Sequence, residues 1–178
     1  RGGHLVGIGH AQPLCLNESP QTAMRNFADW DELVACVGQD IGWSDEVPIT
    51  QGQIDGFAQA TGDHQWIHVD PARAAQGPFG ATVAHGFLTL ALIPHFFSTA
   101  YTVHTPSTGV NYGLNKVRFM APVRVNSRLR ALLHLQAFEK IAGDAWQLTW
   151  QVSVVCEGQD KPVCVAQYLV RRYPPTAN

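Results

Sequence analysis

Basic residues are scarce in this chain. Lys and Arg together number 12 in 178 residues, against 14 Asp and Glu, for a formal net charge of -2. No run of them forms a stripe, so the cationic footprint that nucleic-acid binding requires is missing. Cysteine is sparser still. The four, Cys15, Cys36, Cys156 and Cys164, make no CxxC pair and no zinc-ligand spacing. Cys156 and Cys164 flank the turn at 157–161 and could face each other across a hairpin, but they read as buried thiols. The expected compartment is therefore reducing and cytoplasmic. No apolar run is long enough to span a bilayer, which takes about 20 largely apolar residues. The longest, Ala81 to Phe97, holds His85, Thr89, Pro94 and His95 within it, so no membrane partner is expected. Hydrophobic residues nevertheless make up 46% of the chain, enough for the core of one domain.

The chemistry-bearing stretch is Gly62 to His68, Gly-Asp-His-Gln-Trp-Ile-His. The segment before it, Thr50 to Ala60, has the pattern of an amphipathic helix. Thr50 stands as N-cap, with Gln53 placed for a capping box. Gly62 ends that helix, because glycine enters the left-handed region at a helix end without penalty. Asp63 and His68 then follow on an irregular stretch, with Gly77-Pro78-Phe79-Gly80 beyond them. A carboxylate and an imidazole placed between two helices suit proton transfer near neutral pH. Spacing alone leaves open a solvated cap at Asp63 and a strand-end position for His68. His64 and His68 are four apart beside Asp63, but that spacing gathers ligands only on a continuous helix. Gly62 interrupts it, so no metal site is expected.

Ala81 to Phe97 is apolar nearly all round, which predicts one helix buried on every side. Pro94 should kink or end it near its C-terminus. His85, a lone histidine in an apolar run, reads as structural, orienting or packing near the helix start. Period-two alternation marks strands at 129–137 and 146–154. Turn signals separate them at Asn126-Ser127, Gly143-Asp144 and Gly158 to Pro162, and Asn126 tolerates left-handed geometry. A strand from Tyr112 to Ala121 followed by three more to Tyr173 gives an antiparallel meander. Trp30 to Val37 reads as a short helix and Gln39 to Ser44 as a strand. The domain is expected over 26–173, with an extended arm over 1–25, part of it of cloning origin, and a tail over 174–178.

Three motifs together, Phe57-Ala-Gln-Ala-Thr-Gly-Asp63, Ile67-His68-Val-Asp-Pro71 and Ala84-His85-Gly86-Phe87, resemble the MaoC-like dehydratases, the R-specific enoyl-CoA hydratases. Within them the chain is most similar to the nodulation-protein-N-like branch. The likeness runs from Phe57 to Val123 with specific motifs and more loosely to Tyr173. It departs from many members at Gln65-Trp66, where they carry Asn-Pro. The resemblance implies an α+β hotdog fold, an antiparallel sheet wrapped around a long central helix, single because the sequence has no internal repeat. It implies Asp63 and His68 as the catalytic pair and the backbone N–H of Gly86 as donor to the thioester carbonyl. It also implies a homodimer joined sheet edge to edge, with the acyl tunnel along the interface. The substrate would be an acyl-CoA or acyl-carrier thioester, with no further cofactor.

The chemistry suits those groups. Adding water across an enoyl thioester needs a base for the water, a proton for the α-carbon and a donor for charge gathering on the thioester oxygen. Asp63 is a natural base, and His68 can share the same water. A helix-first amide is a good oxyanion donor, and losing such a donor costs roughly 3–4 kcal/mol of barrier. Trp66, Phe79, Phe87 and Phe96 are candidates for the pocket lining. Lys116 and Arg118, in Gly113 to Phe119, are candidates for CoA contacts or plain exposed strand charges. Two rivals stand beside this reading. One is an acyl-CoA thioesterase of the same fold, which would draw an acid from a central helix that here has none. The other is a non-catalytic acyl-thioester-binding protein.

Overall fold

The alternation over 128–156 becomes two long strands that face helices on one side only. The structure, a computed structural model, describes residues 24–175, so nearly all of the expected arm and part of the tail lie outside the described residues. Strands β1 (Arg25–Phe27), β2 (Gln39–Trp43), β3 (Val47–Pro48), β4 (Tyr101–Val103), β5 (Thr108–Phe119), β6 (Arg128–Ile141), β7 (Ala145–Cys156) and β8 (Cys164–Tyr173) are formed. Helices are α1 (Trp30–Val34), α2 (Gln51–Thr61), α3 (Trp66–Val69), α4 (Pro71–Ala74), α5 (Gly86–Ala91) and α6 (Ile93–Ala100).

Five strands hydrogen-bond in the order β2-β6-β7-β8-β5, antiparallel throughout, and β3 adds to β6. Leu129, Ala131, Leu133 and Leu135 of β6 are wholly buried, as are Leu148, Trp150, Val152 and Val154 of β7. This face packs under α5 and α6, which touch β8, β6 and β2. The result is the antiparallel sheet around a central helical segment that the sequence implies. A separate parallel pair, β1 with β4, closes one end.

Three expectations need correction. The meander holds only for β6 to β8, because β5 pairs with β8 at the far edge and not with β6. The connection from β5 to β6 is drawn across by bonds to the segment before α5: Ala84 N–H to Val123 O and Val125 N–H to Thr82 O. The same bonds explain the second correction. Residues 81–85 are extended, paired at Val83 and Arg124, so the helix starts only at Gly86. It also divides at Leu92, with Pro94 in the first turn of α6 and not at the end of one long helix. Burial on every side fails within the chain as well, since Phe87 is 67% exposed. Third, Cys156 and Cys164 do not face each other: Cys164 lies opposite Val154, and Cys156 opposite Leu129. Both are free and buried, as is Cys36.

Candidate active site

The site begins with the end of α2. Thr50 caps its start through a complete capping box with Gln53. Gly62 closes it at φ 79°, and its N–H donates to Ala58 O. This turn hands Asp63 to an exposed position, with the side chain 55% accessible. The chain then re-enters a single helical turn, α3, which carries His68 inward to 7% exposure. His68 therefore sits on a short helix and not on an irregular stretch.

Two carbonyls fix the histidines. The Nδ1 of His68 lies 2.6 Å from Val83 O. A carbonyl can only accept, so Nδ1 carries the proton and the Nε2 lone pair is left for chemistry. His85 lies 3% exposed, with Nε2 3.0 Å from the backbone carbonyl of Asp63. By the same rule that nitrogen is protonated. The two rings stack, 3.7 Å between centroids and 23° between planes. Burial is the first cause that holds the pKa of His68 below its ordinary 6.5, and His85 adds to it. The Val83 hydrogen bond and the Asp63 carboxylate push the other way. A neutral, one-sided imidazole is the outcome, poised to take a proton.

Asp63, His68 and His85 each present a ligand-type atom within 4.8 Å of the others. They are the group among the described residues with donors suited to a metal ion. Holding one through Nε2 would cost His85 its bond to Asp63 O, because that nitrogen already carries a hydrogen.

Gly86 follows His85 and opens α5. Among the described residues no backbone carbonyl accepts the N–H of Gly86 or of Phe87, so both amides of this first turn are open donors. Gly86 also borders a cavity of about 320 Å³ lined by Thr89, Phe119, Met120 and Pro122. A Cβ on Gly86 would stand 3.0 Å from the Phe119 ring, which gives this glycine a packing reason.

These observations meet three comparisons with known proteins. The model of the MaoC like domain matches residues 32–155. The chain belongs to the MaoC-like dehydratase family. The 3-hydroxyacyl-thioester dehydratase Z of Mycobacterium tuberculosis is 53% identical over 148 residues, covering 83% of this chain and 98% of that protein. Nodulation protein N of Rhizobium leguminosarum bv. viciae is 42% identical over 135 residues, covering 75% of this chain and 84% of its own length. The (R)-hydratase from A. caviae involved in PHA biosynthesis superposes with a TM-score of 0.62 at 20% identity, over 78% of this chain and 96% of that one. This last likeness supports the hotdog fold. The protein is thus a MaoC-like enzyme of the hydratase and dehydratase class.

The remaining candidates of this MaoC-like dehydratase divide. Trp66 is half-buried: Gly77 lies tight against its ring, and the exposed Arg73 guanidinium sits 4.4 Å from its centroid. Phe79 is half-buried in the Gly77 to Gly80 turn. Phe87 points outward and meets Phe119 edge-on at 5.8 Å. Phe96 is wholly buried core. Lys116 and Arg118 line a different groove, with Gln151, Val165 and Gln167 on the sheet, and Met120 borders both it and the cavity at Gly86. Within the chain they are not gathered with Asp63 and His68.

Sequence reasoning missed Gln51 and Thr82. The Gln51 amide donates to His68 O at 2.8 Å and to Asp55 Oδ1 at 2.9 Å, and the Thr82 hydroxyl donates to Gln51 Oε1 at 2.6 Å. One side chain thereby ties α2, α3 and the segment before α5 together. Nothing in the pattern marks a glutamine at the first helical position for this task. Among the described residues, no helix is long and apolar enough to cross a membrane.

Proposed function

We propose that the protein hydrates trans-2-enoyl-CoA to (R)-3-hydroxyacyl-CoA and catalyses the reverse dehydration. The observation that carries this is the Asp63 carboxylate set beside the free Nε2 of His68 and beside His85, whose next residue, Gly86, has an open amide. Water held between Asp63 and His68 gives its oxygen to C3. The proton it loses passes to this pair, and a proton from the pair reaches C2, so the sum is one water added. Charge gathering on the thioester oxygen is met by the Gly86 N–H. No cofactor beyond the thioester is required.

The relatives support the substrate class, one being a 3-hydroxyacyl-thioester dehydratase and another an (R)-hydratase. The thioesterase alternative would need an acid on α5 or α6, and residues 86–100 include neither Asp nor Glu. A homodimer fits the free edge of β5, where Val110, Tyr112 and Leu114 are exposed. A reducing, cytoplasmic setting fits the three free thiols.

Loss of the enoyl-thioester absorbance with crotonyl-CoA and longer trans-2-enoyl-CoAs tests the reading. Wild type should turn over to an R product, and Asp63→Asn and His68→Gln should each lower kcat by roughly 10²–10⁴. The acidic limb of kcat/KM should lie below pH 6.5, since His68 is active when neutral and its pKa is lowered by burial. Hydration that survives both substitutions sinks the assignment. A folded protein silent on every chain length leaves the binding-protein reading in its place.

A further inference from the structure

We propose that His85 is the positioning residue of this site, locking the Asp63 turn, the His68 ring and the Gly86 amide into one arrangement. The inference rests on the dehydratase reading above and assigns His85 no contact with the reacting atoms.

The three groups come from three separate stretches: the turn after α2, the short helix α3 and the start of α5. His85 touches all of them. Its Nε2–H donates to Asp63 O at 3.0 Å. Its ring stacks on His68 at 3.7 Å. Its own carbonyl accepts from the amides of Leu88 and Thr89, which starts the helix whose first residue is Gly86. Phe57 closes the pocket around the ring at 5.0 Å, so the imidazole has little room to turn. Moving His85 therefore moves the carboxylate, the base and the thioester donor relative to one another.

Only one form of the imidazole serves. Asp63 O requires a hydrogen on Nε2. Nδ1 is buried and has no partner among the described residues. A hydrogen moved to Nδ1 would be an N–H buried without an acceptor and would leave Asp63 O without its donor. The ionisable groups that face the ring are His68, stacked on it, and the Asp63 carboxylate, 4.0 Å from Nε2. The hydrogen held on His85 Nε2 thus leaves His68 Nε2 as the nitrogen of the stack that is open toward Asp63.

Two substitutions separate positioning from mere packing. His85→Phe keeps a flat ring on His68 and loses the donor. His85→Gln restores an amide N–H near the Nε2 position. The Phe variant should lose about 100-fold in kcat with KM changed less than about threefold, because geometry matters most in the transition state. The Gln variant should stay within roughly tenfold of wild type. Equal losses of thermal stability in both, with kcat per folded molecule unmoved, would overturn the inference.

Should His85→Phe not fold, nitrogen-15 NMR of wild type decides. His85 should carry its hydrogen on Nε2, with Nδ1 bare. An Nδ1–H form overturns the proposal. Collapse of Asp63→Asn and His68→Gln beside an unaffected His85→Phe would remove this inference alone. A wild type without turnover would remove the dehydratase reading, and the tautomer would still judge the lock.

Discussion

Along β6, β7 and β8 the backbone pairs strand to strand, in register but for one shift between Leu135 and Ala137, and on β6 burial alternates with the pleat. Between Gly62 and Gly86 much of that part is taken by side chains. His68 reaches Val83 O, His85 reaches Asp63 O, Gln51 reaches His68 O, and Thr82 reaches Gln51. The first region is held by area removed from water and is tolerant in detail. The second is held by single polar bonds, each able to shift a reactive group without unfolding the domain. Stability and function should therefore respond separately when the two regions are perturbed.

The largest effect is expected in the sheet. Trp150 is wholly buried on β7, stacks on Tyr101 at 5.3 Å and meets Phe97 edge-on at 5.0 Å. Trp150→Ala should destabilise the fold by about 3–5 kcal/mol, read by urea unfolding, because both transfer and cavity costs are incurred. The fraction that stays folded should keep an unchanged KM. A lower affinity in that fraction would show that the sheet core also shapes the site, and the contrast would fail.

This contrast explains what was legible in the sequence. Leu129 to Ala137 and Trp146 to Val154 declared themselves as strands by their period of two, although on β7 Thr149 and Ser153 of the polar face are buried too. The capping box at Thr50 and Gln53 and the left-handed Gly62 were legible because local bonds enforce them. Asp63 and His68 were marked by their motif and come together in space. The long helix was misread for a related reason. Residues 81–85 are apolar whether helical or extended, and their pairing with 123–125 is a long-range event that no local period reveals. The same holds for the crossing of β5 to β8. Gln51 and Thr82 were invisible because a side-chain bond across 31 residues leaves no spacing to read.

A middle-sized effect should follow from the Gln51 bridge. Gln51→Leu keeps the bulk but leaves His68 O and the Thr82 hydroxyl without this partner. The loss should be about 1–2 kcal/mol, appearing more in kcat than in unfolding, on the order of tenfold in rate. Paired kinetics and thermal melts would check it. A stability loss as large as that of Trp150→Ala, with kcat per folded molecule intact, would make Gln51 a scaffold residue and erase the distinction drawn here.

The smallest effect sharpens the boundary between the regions, at the turn that joins the site segment to β6. Asn126 lies there at φ 65°, its N–H donating to Ile49 O at 2.7 Å, one residue after Val125 pairs with Thr82. The left-handed region costs an ordinary L-residue roughly 1–2 kcal/mol, asparagine less, and glycine nothing. Asn126→Ala should therefore lower stability by about 1 kcal/mol, a few degrees in Tm for a chain of this length. Asn126→Gly should stay within a few tenths, since relief of strain is offset by the greater freedom of glycine in the unfolded chain. Activity should follow neither change, because the turn touches the site only through backbone pairing that both variants retain. If Asn126→Gly lost as much as Asn126→Ala, the asparagine side chain and not the dihedral would be what holds the turn. If either variant cost activity beyond its loss of folded protein, the site segment would extend past Gly86 into the start of β6.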